Sequence, residues 1–160
     1  MFNTASTTAA ILDILTREAA HCDLLNQTLQ QERNALRQLS LAEFPSLNEQ
    51  RLKDLQGFQA LESEREAVVH RCADAWGLPR ATVTLQAIID RLNQPDRREV
   101  ERCHERLTAK VRALRQETAV NELLVAGIQT LCRKAMRGER LDYRQGHFHC
   151  YRQHELLKLK

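Results

Sequence analysis

Residues 96–136 read DRREVERCHERLTAKVRALRQETAVNELLVAGIQTLCRKAM, with no proline and a single glycine, Gly127. Leu107, Val111, Leu114, Leu124, Ile128, Leu131 and Ala135 return every three or four positions. That spacing sets them on one stripe of an α-helix, with Arg, Glu, Lys and Gln filling the remaining arc. At 1.5 Å rise per residue such a helix is roughly 60 Å long, about twice the width of a compact domain of this size. It cannot be wrapped inside a ball. Its stripe needs cover from other long helices of the same chain or from a partner.

Working outward, the N-terminal third supplies one such helix. Thr7 or Thr8 can cap its start, and Phe44-Pro45-Ser46 is the expected break after about Leu41. Its seam reads Ile11, Leu15, Glu18, Cys22, Leu25, Leu29, Glu32, Leu36, Leu39 in alternating steps of four and three, a coiled-coil-like spacing. A second helix, capped by Ser46 or Asn48, is expected to run to the Trp76-Gly77-Leu78-Pro79 stop and to bury Leu52, Leu55, Phe58, Leu61, Val69, Cys72 and Trp76. A short third helix, capped by Thr82 or Thr84, carries Leu85, Ile88, Ile89 and Leu92 before Asn93-Gln94-Pro95 closes it, and can lie across one end of the bundle. The fold class is therefore all-α: an elongated antiparallel bundle of three long helices with a short helical insert and a C-terminal tail. Residues 1–136 read as one domain, with helices at about 8–41, 48–76, 82–92 and 96–136. Residues 137–160 form a tail, partly helical or disordered, that can regain helix from about Cys150.

Composition agrees with this reading. The 160 residues include five glycines, three prolines and few aromatics, and 28% are charged, which disfavours a β-rich fold. There is no apolar run long enough to span a bilayer, and no positive residue precedes an apolar run in the first ten. No membrane insertion is expected, and the cytosol is the expected location. The net charge of +3 lies wholly in the tail, where Arg137, Arg140, Arg144, Arg152, Lys158 and Lys160 outnumber Glu139, Asp142 and Glu155. A body with balanced charge is poor material for nucleic-acid binding, which needs a basic face to release counterions. Cys22, Cys72, Cys103, Cys132 and Cys150 form no close pair, and the first four fall in predicted helices. They read as small reduced core residues.

Candidate chemistry is thin. His147, His149, Cys150 and His154 offer ligand types suited to zinc or nickel, but their spacing fits no established finger, and an exposed polar tail is the better reading. Alternate positions on a helix point about 200° apart, so Glu62, Glu64 and Glu66 cannot work as a catalytic pair. No GxSxG, Walker loop, GxGxxG or HExxH is present. No enzyme and no cofactor are expected. Asn121 interrupts the stripe of the long helix: it either fixes register with a neighbouring helix, as a buried Asn does in coiled coils, or sits half-exposed beside the stripe. Glu18 and Glu32 on the first seam admit the same two readings, and an arginine across the bundle would satisfy either. The tail's Leu141, Tyr143, Phe148, Tyr151, Leu156 and Leu157 either fold back over the bundle or present an adaptable apolar strip to a partner, the favoured reading.

Three segments carry a family likeness. Leu55-Gln-Gly-Phe-Gln-Ala-Leu-Glu-Ser-Glu-Arg-Glu-Ala-Val-Val69 resembles the second-helix pattern of FlgN-type flagellar chaperones. Glu117-Thr-Ala-Val-Asn-Glu-Leu-Leu124 resembles their long-helix signature, and Leu141-Asp-Tyr-Arg-Gln-Gly146 the Tyr-x-x-Gly element that follows. Gly57 departs from the pattern, standing where a lysine or another helix former is common. The resemblance implies a cytosolic chaperone of the flagellar type III secretion system. Such a chaperone binds hook-associated proteins of the hook–filament junction, shields their terminal amphipathic helices from early assembly, and hands them to the export gate. The substrate groove would then lie on Leu124, Ile128, Leu131 and Ala135 together with the tail residues Leu141, Tyr143, Phe148, Tyr151, Leu156 and Leu157. A monomer or weak homodimer is expected. The rival reading is a coiled-coil-like structural adaptor that oligomerises through the long helix and has no export role.

Overall fold

The computed structural model describes residues 4–40 and 42–138. It is all-α, as the sequence predicts, with α1 (Thr4–Arg37), α2 (Phe44–Ala75), α3 (Leu85–Ile89) and α4 (Asp96–Met136), and no strand among the described residues. The chain divides into two units, Met1–Glu122 and Leu123–Lys160, with the boundary inside α4.

In the first unit α1 is the central element. Of its nine predicted seam residues, eight are buried: Ile11, Leu15, Glu18, Cys22, Leu25, Leu29, Glu32 and Leu36. Leu39 instead stands 63% exposed, because α1 ends at Arg37. Ser40 N–H donates to the Ala35 carbonyl (2.9 Å) and Leu39 N–H to that of Leu36 (3.2 Å), the paired bonds of a Schellman motif. Leu39 takes the left-handed position, with φ 54°.

The predicted break at Phe44-Pro45-Ser46 is instead the start of α2. Pro45 lies in the first turn, where a missing N–H costs nothing. Neither Ser46 nor Asn48 caps the helix: the cap position is Glu43, without a side-chain cap bond. Ser46 Oγ donates to the Glu43 carbonyl at 2.9 Å, and Asn48 Oδ1 accepts from Arg51. The far end of α2 stops as expected. Leu78 N–H donates to the Ala73 carbonyl (2.8 Å) and Gly77 N–H to that of Asp74 (3.3 Å), with Gly77 at φ 65°.

The face that α2 turns inward differs from the predicted one in its first half. Val69 and Cys72 are buried, with Val68 and Ala73 beside them, but Leu52 and Leu55 are exposed (49% and 38%). Their neighbours Arg51 and Asp54 take the inward positions. Arg51 Nε donates to Glu32 Oε1 at 2.9 Å, and Asp54 Oδ2 accepts from Thr28 Oγ1 at 2.8 Å. Periodicity of apolar residues could not show a seam whose first two turns are polar.

Cross-helix pairs set the directions. Arg17 meets Glu64, Glu18 meets Arg65, and Glu32 meets Arg51, so α2 runs antiparallel to α1. Thr8 donates to Asp96, Lys110 pairs with Asp23, and Arg33 pairs with Glu117, so α4 up to Glu122 runs parallel to α1. The short helix α3 is capped by Thr84, whose Oγ1 accepts from Ala87 N–H at 3.1 Å. It contributes Ile88 and Ile89 to a core cluster shared with Ile11, Leu15, Val69, Cys72, Val100 and Leu107. Each fully buried aliphatic side chain stabilises the fold by roughly 1.5–3 kcal/mol. The insert is thus part of the core that joins α1, α2 and α4.

Burial pushes the Cys22 thiol up to about 11 and also raises that of Cys72, leaving both as unreactive small hydrophobes. Cys103 is half-buried. Cys132 is exposed, contrary to the expectation of a core residue, since it falls where α4 has left buried positions behind.

Candidate partner-binding surface

The sequence-predicted partner residues fall into two sets. Leu124 and Ile128 are half-buried, and Leu131 and Ala135 are exposed, all on α4 in the second unit. Leu141, Tyr143, Phe148, Tyr151, Leu156 and Leu157 lie outside the described residues, as do His147, His149, Cys150 and His154. Spacings of four, three and four residues bring Leu124, Ile128, Leu131 and Ala135 onto one stripe. Two apolar residues the periodicity did not single out are more open still: Leu123 is 53% exposed and Met136 80%. They flank the stripe, and an unbroken run of apolar residues at 123–125 was the available signal for the first. Thr130 and Arg133 direct polar groups back to the Ala126 and Gln129 carbonyls (2.9 and 3.3 Å). Among the described residues, the hydrogen bonds of this part of α4 are its own backbone ladder and these side-chain bonds.

In the first unit the polar seam residues are paired across helices. Asn121, 5% exposed, donates through Nδ2 to the Leu29 carbonyl (2.8 Å) and to Glu32 Oε2 (3.3 Å), and accepts at Oδ1 from Arg33 Nε (3.1 Å). Of its two sequence readings, the register-fixing one is what the geometry supports. A shift of α4 by one turn along α1 would strand three hydrogen bonds in a buried layer. Glu32 is held between Asn121 and Arg51. Glu18 is fully buried and lies 3.1 Å from Arg65 Nε. The pair is close in charge but misaligned, since neither Glu18 oxygen makes a hydrogen bond among the described residues. Burial, opposed only in part by Arg65, lifts the Glu18 carboxyl to about 7.

Nothing in these arrangements assembles a nucleophile, base and oxyanion donors around a common point. Among the described residues no group of three His, Cys, Asp or Glu is placed to hold a metal ion, and no helix is long and apolar enough to cross a membrane. The fold defines a helical-bundle protein, with a register-locked first unit and an apolar stripe near the end of its long helix. The model of the FlgN protein family matches residues 1–137, and the chain belongs to that family, one of flagellar export chaperones and not of enzymes. No curated protein and no solved structure matches it.

Proposed function

We propose that the protein binds hook-associated proteins of the hook–filament junction in the cytosol, covers their terminal amphipathic helices until export, and delivers them to the flagellar export gate. The observation that carries this reading, beside family membership, is the apolar stripe of α4, where Leu131 is 39% exposed and the flanking Leu123 and Met136 are 53% and 80% exposed. An amphipathic segment that is disordered alone needs an apolar helical surface to fold against, and this stripe is one. The tail residues Leu141, Tyr143, Phe148, Tyr151, Leu156 and Leu157 extend the same contact in the proposal. The test is co-expression of the full chain with hook-associated proteins, followed by size-exclusion chromatography. The expected outcome is a co-eluting complex that is lost on Leu124→Asp/Leu131→Asp. Failure to retain any hook-associated protein overturns the reading. A homodimer in light scattering that the same double substitution abolishes, with no complex formed, would support the structural-adaptor reading in its place.

A further inference from the structure

A second surface lies wholly within the first unit. Between α2 and α4, over α1, runs a cleft of about 300 Å³. Its α4 wall is His104, Thr108, Val111 and Arg115, at steps of four, three and four, with Arg112 beside them; its α2 wall is Phe58, Glu62 and Arg65, at steps of four and three. Both walls are thus single helix faces, and the α4 wall is roughly 16 Å long, about three helical turns.

Three features of the cleft ask for an occupant. Glu18 lines it and is fully buried; it pairs in charge with Arg65 at 3.1 Å, but among the described residues neither of its oxygens nor Arg65 Nε has a hydrogen-bond partner. A buried polar group left unpaired is costly, so a hydrogen-bonding group arriving in the cleft would recover a penalty already present. Phe58 and Val111 are half-buried beside the buried Leu107, which gives an apolar floor. At the rim, Arg112 and Arg115 make no ion pair among the described residues, whereas the arginines elsewhere along α1 and α2 that face another helix (Arg17, Arg33, Arg51, Arg65) all do.

We propose that this cleft receives an acidic amphipathic helix of a partner protein, about three turns long. Its apolar face rests on Phe58, Leu107 and Val111, a side-chain amide or hydroxyl at its centre meets Glu18, and its carboxylates lie against Arg112 and Arg115. A helix fits because walls presenting residues at three- and four-residue steps form the groove into which a further helix of a bundle packs. Charge selects the partner. The lining carboxylates Glu18 and Glu62 both lie against Arg65 (3.1 and 4.0 Å), which leaves Arg112 and Arg115 as the cleft's cations without an ion pair among the described residues. These fork onto carboxylates and would repel the chain's own C-terminal residues 137–160, which carry six basic groups against three acidic ones. The site shares no residue with the α4 stripe at 124–135 and stands whether or not that stripe binds a substrate.

The experiment uses the full chain and two labelled synthetic peptides of about 14 residues. Each has leucines on one face around a central glutamine; one carries glutamates on the flanks and the other lysines. Fluorescence anisotropy should show the glutamate peptide binding at least about tenfold more tightly than the lysine peptide, with affinity falling as salt rises. Arg112→Glu/Arg115→Glu should lower affinity by about tenfold or more. Thr108→Trp, a neutral change at an exposed position that fills the cleft, should do the same, and both variants should keep wild-type helicity and melting. Leu131→Asp should leave this affinity unchanged while affecting the hook-associated complex, which separates failure of one reading from failure of the other. Equal binding of the two peptides, retention of binding in both cleft variants, or loss in Leu131→Asp overturns the proposal. So does a homodimer abolished by Thr108→Trp, which would make a second copy the occupant.

Discussion

At Leu39 the backbone leaves α1 with φ 54°, a conformation that brings a Cβ against the following carbonyl and costs roughly 1–2 kcal/mol on a non-glycine residue. Gly77 takes the equivalent position at the end of α2 without that cost. Leu39→Gly is therefore expected to raise stability by about 1 kcal/mol, less the extra freedom that glycine gains in the unfolded chain. A urea midpoint that stays level or falls would show that the end of α1 is not held in this turn. The position also marks what could be read from the sequence. The α1 seam was legible for eight residues because a step pattern of three and four is a geometric property of the helix. The ninth was not, because no glycine signals the stop. At Asn121 periodicity admits two readings, and geometry decides between them. Asn121→Ala leaves Glu32 and Arg33 each short of a bond in a buried layer, and should cost about 2 kcal/mol in chemical denaturation. A cost under about 0.5 kcal/mol would mean that water replaces the amide there.

Between elements, the contact of α1 with the first half of α2 is polar and close. His21 Nε2 lies 2.6 Å from the Asp54 carbonyl, and its ring sits over Gly57, where a Cβ would meet Cε1 at 2.7 Å and Nε2 at 2.9 Å. Phe58 tilts against the same ring with centroids 6.4 Å apart. This accounts for the glycine that departs from the family pattern: the helix gives up intrinsic propensity to admit an imidazole. Gly57→Ala should destabilise the wild-type chain by about 1 kcal/mol or more, although alanine is the better helix former by nearly that amount. In a His21→Ala background the same change should stabilise by about 1 kcal/mol, a coupling of about 2 kcal/mol across the cycle. Additive effects would place His21 away from Gly57. Leu52 and Leu55 stand on the exposed side for a related reason. Apolar periodicity reports a seam only where the seam is apolar, and here Arg51, Asp54 and Gly57 occupy the inward turns. The stripe at 124–135 was legible by that same periodicity, while the cleft between α2 and α4 was not. Its arginines and Glu18 come together only through the register of three helices.

For the first unit as a whole, one buried carboxyl links folding to pH. Glu18 has no solvent exposure and makes no hydrogen bond among the described residues, and burial lifts its carboxyl to about 7. In the unfolded chain it returns to the ordinary carboxylate range near 4.5. The native state therefore binds this proton more tightly than the unfolded state does. The contribution is complete below about pH 4.5, where Glu18 is neutral in both states, and it is lost as pH rises through about 7. The size is roughly 3 kcal/mol. Glu64 and Asp74 act with the opposite sign. Their arginine partners Arg17 and Arg80 hold them below the usual range, so what they add is present at neutral pH and lost only as pH falls through their lowered values. Both are exposed pairs that solvent screens, so the neutral limb belongs to Glu18. Glu18→Gln, which keeps the shape and stays neutral, should match the wild type near pH 4.5 and exceed it by roughly 3 kcal/mol at pH 8. Urea denaturation of both chains across that range checks this. A wild-type curve parallel to that of the variant from pH 5 to 8 would mean that Glu18 is ionised throughout, its charge satisfied by Arg65. In that case the ion pair of α1 with α2 would be well formed, and the unsatisfied floor of the cleft would not exist.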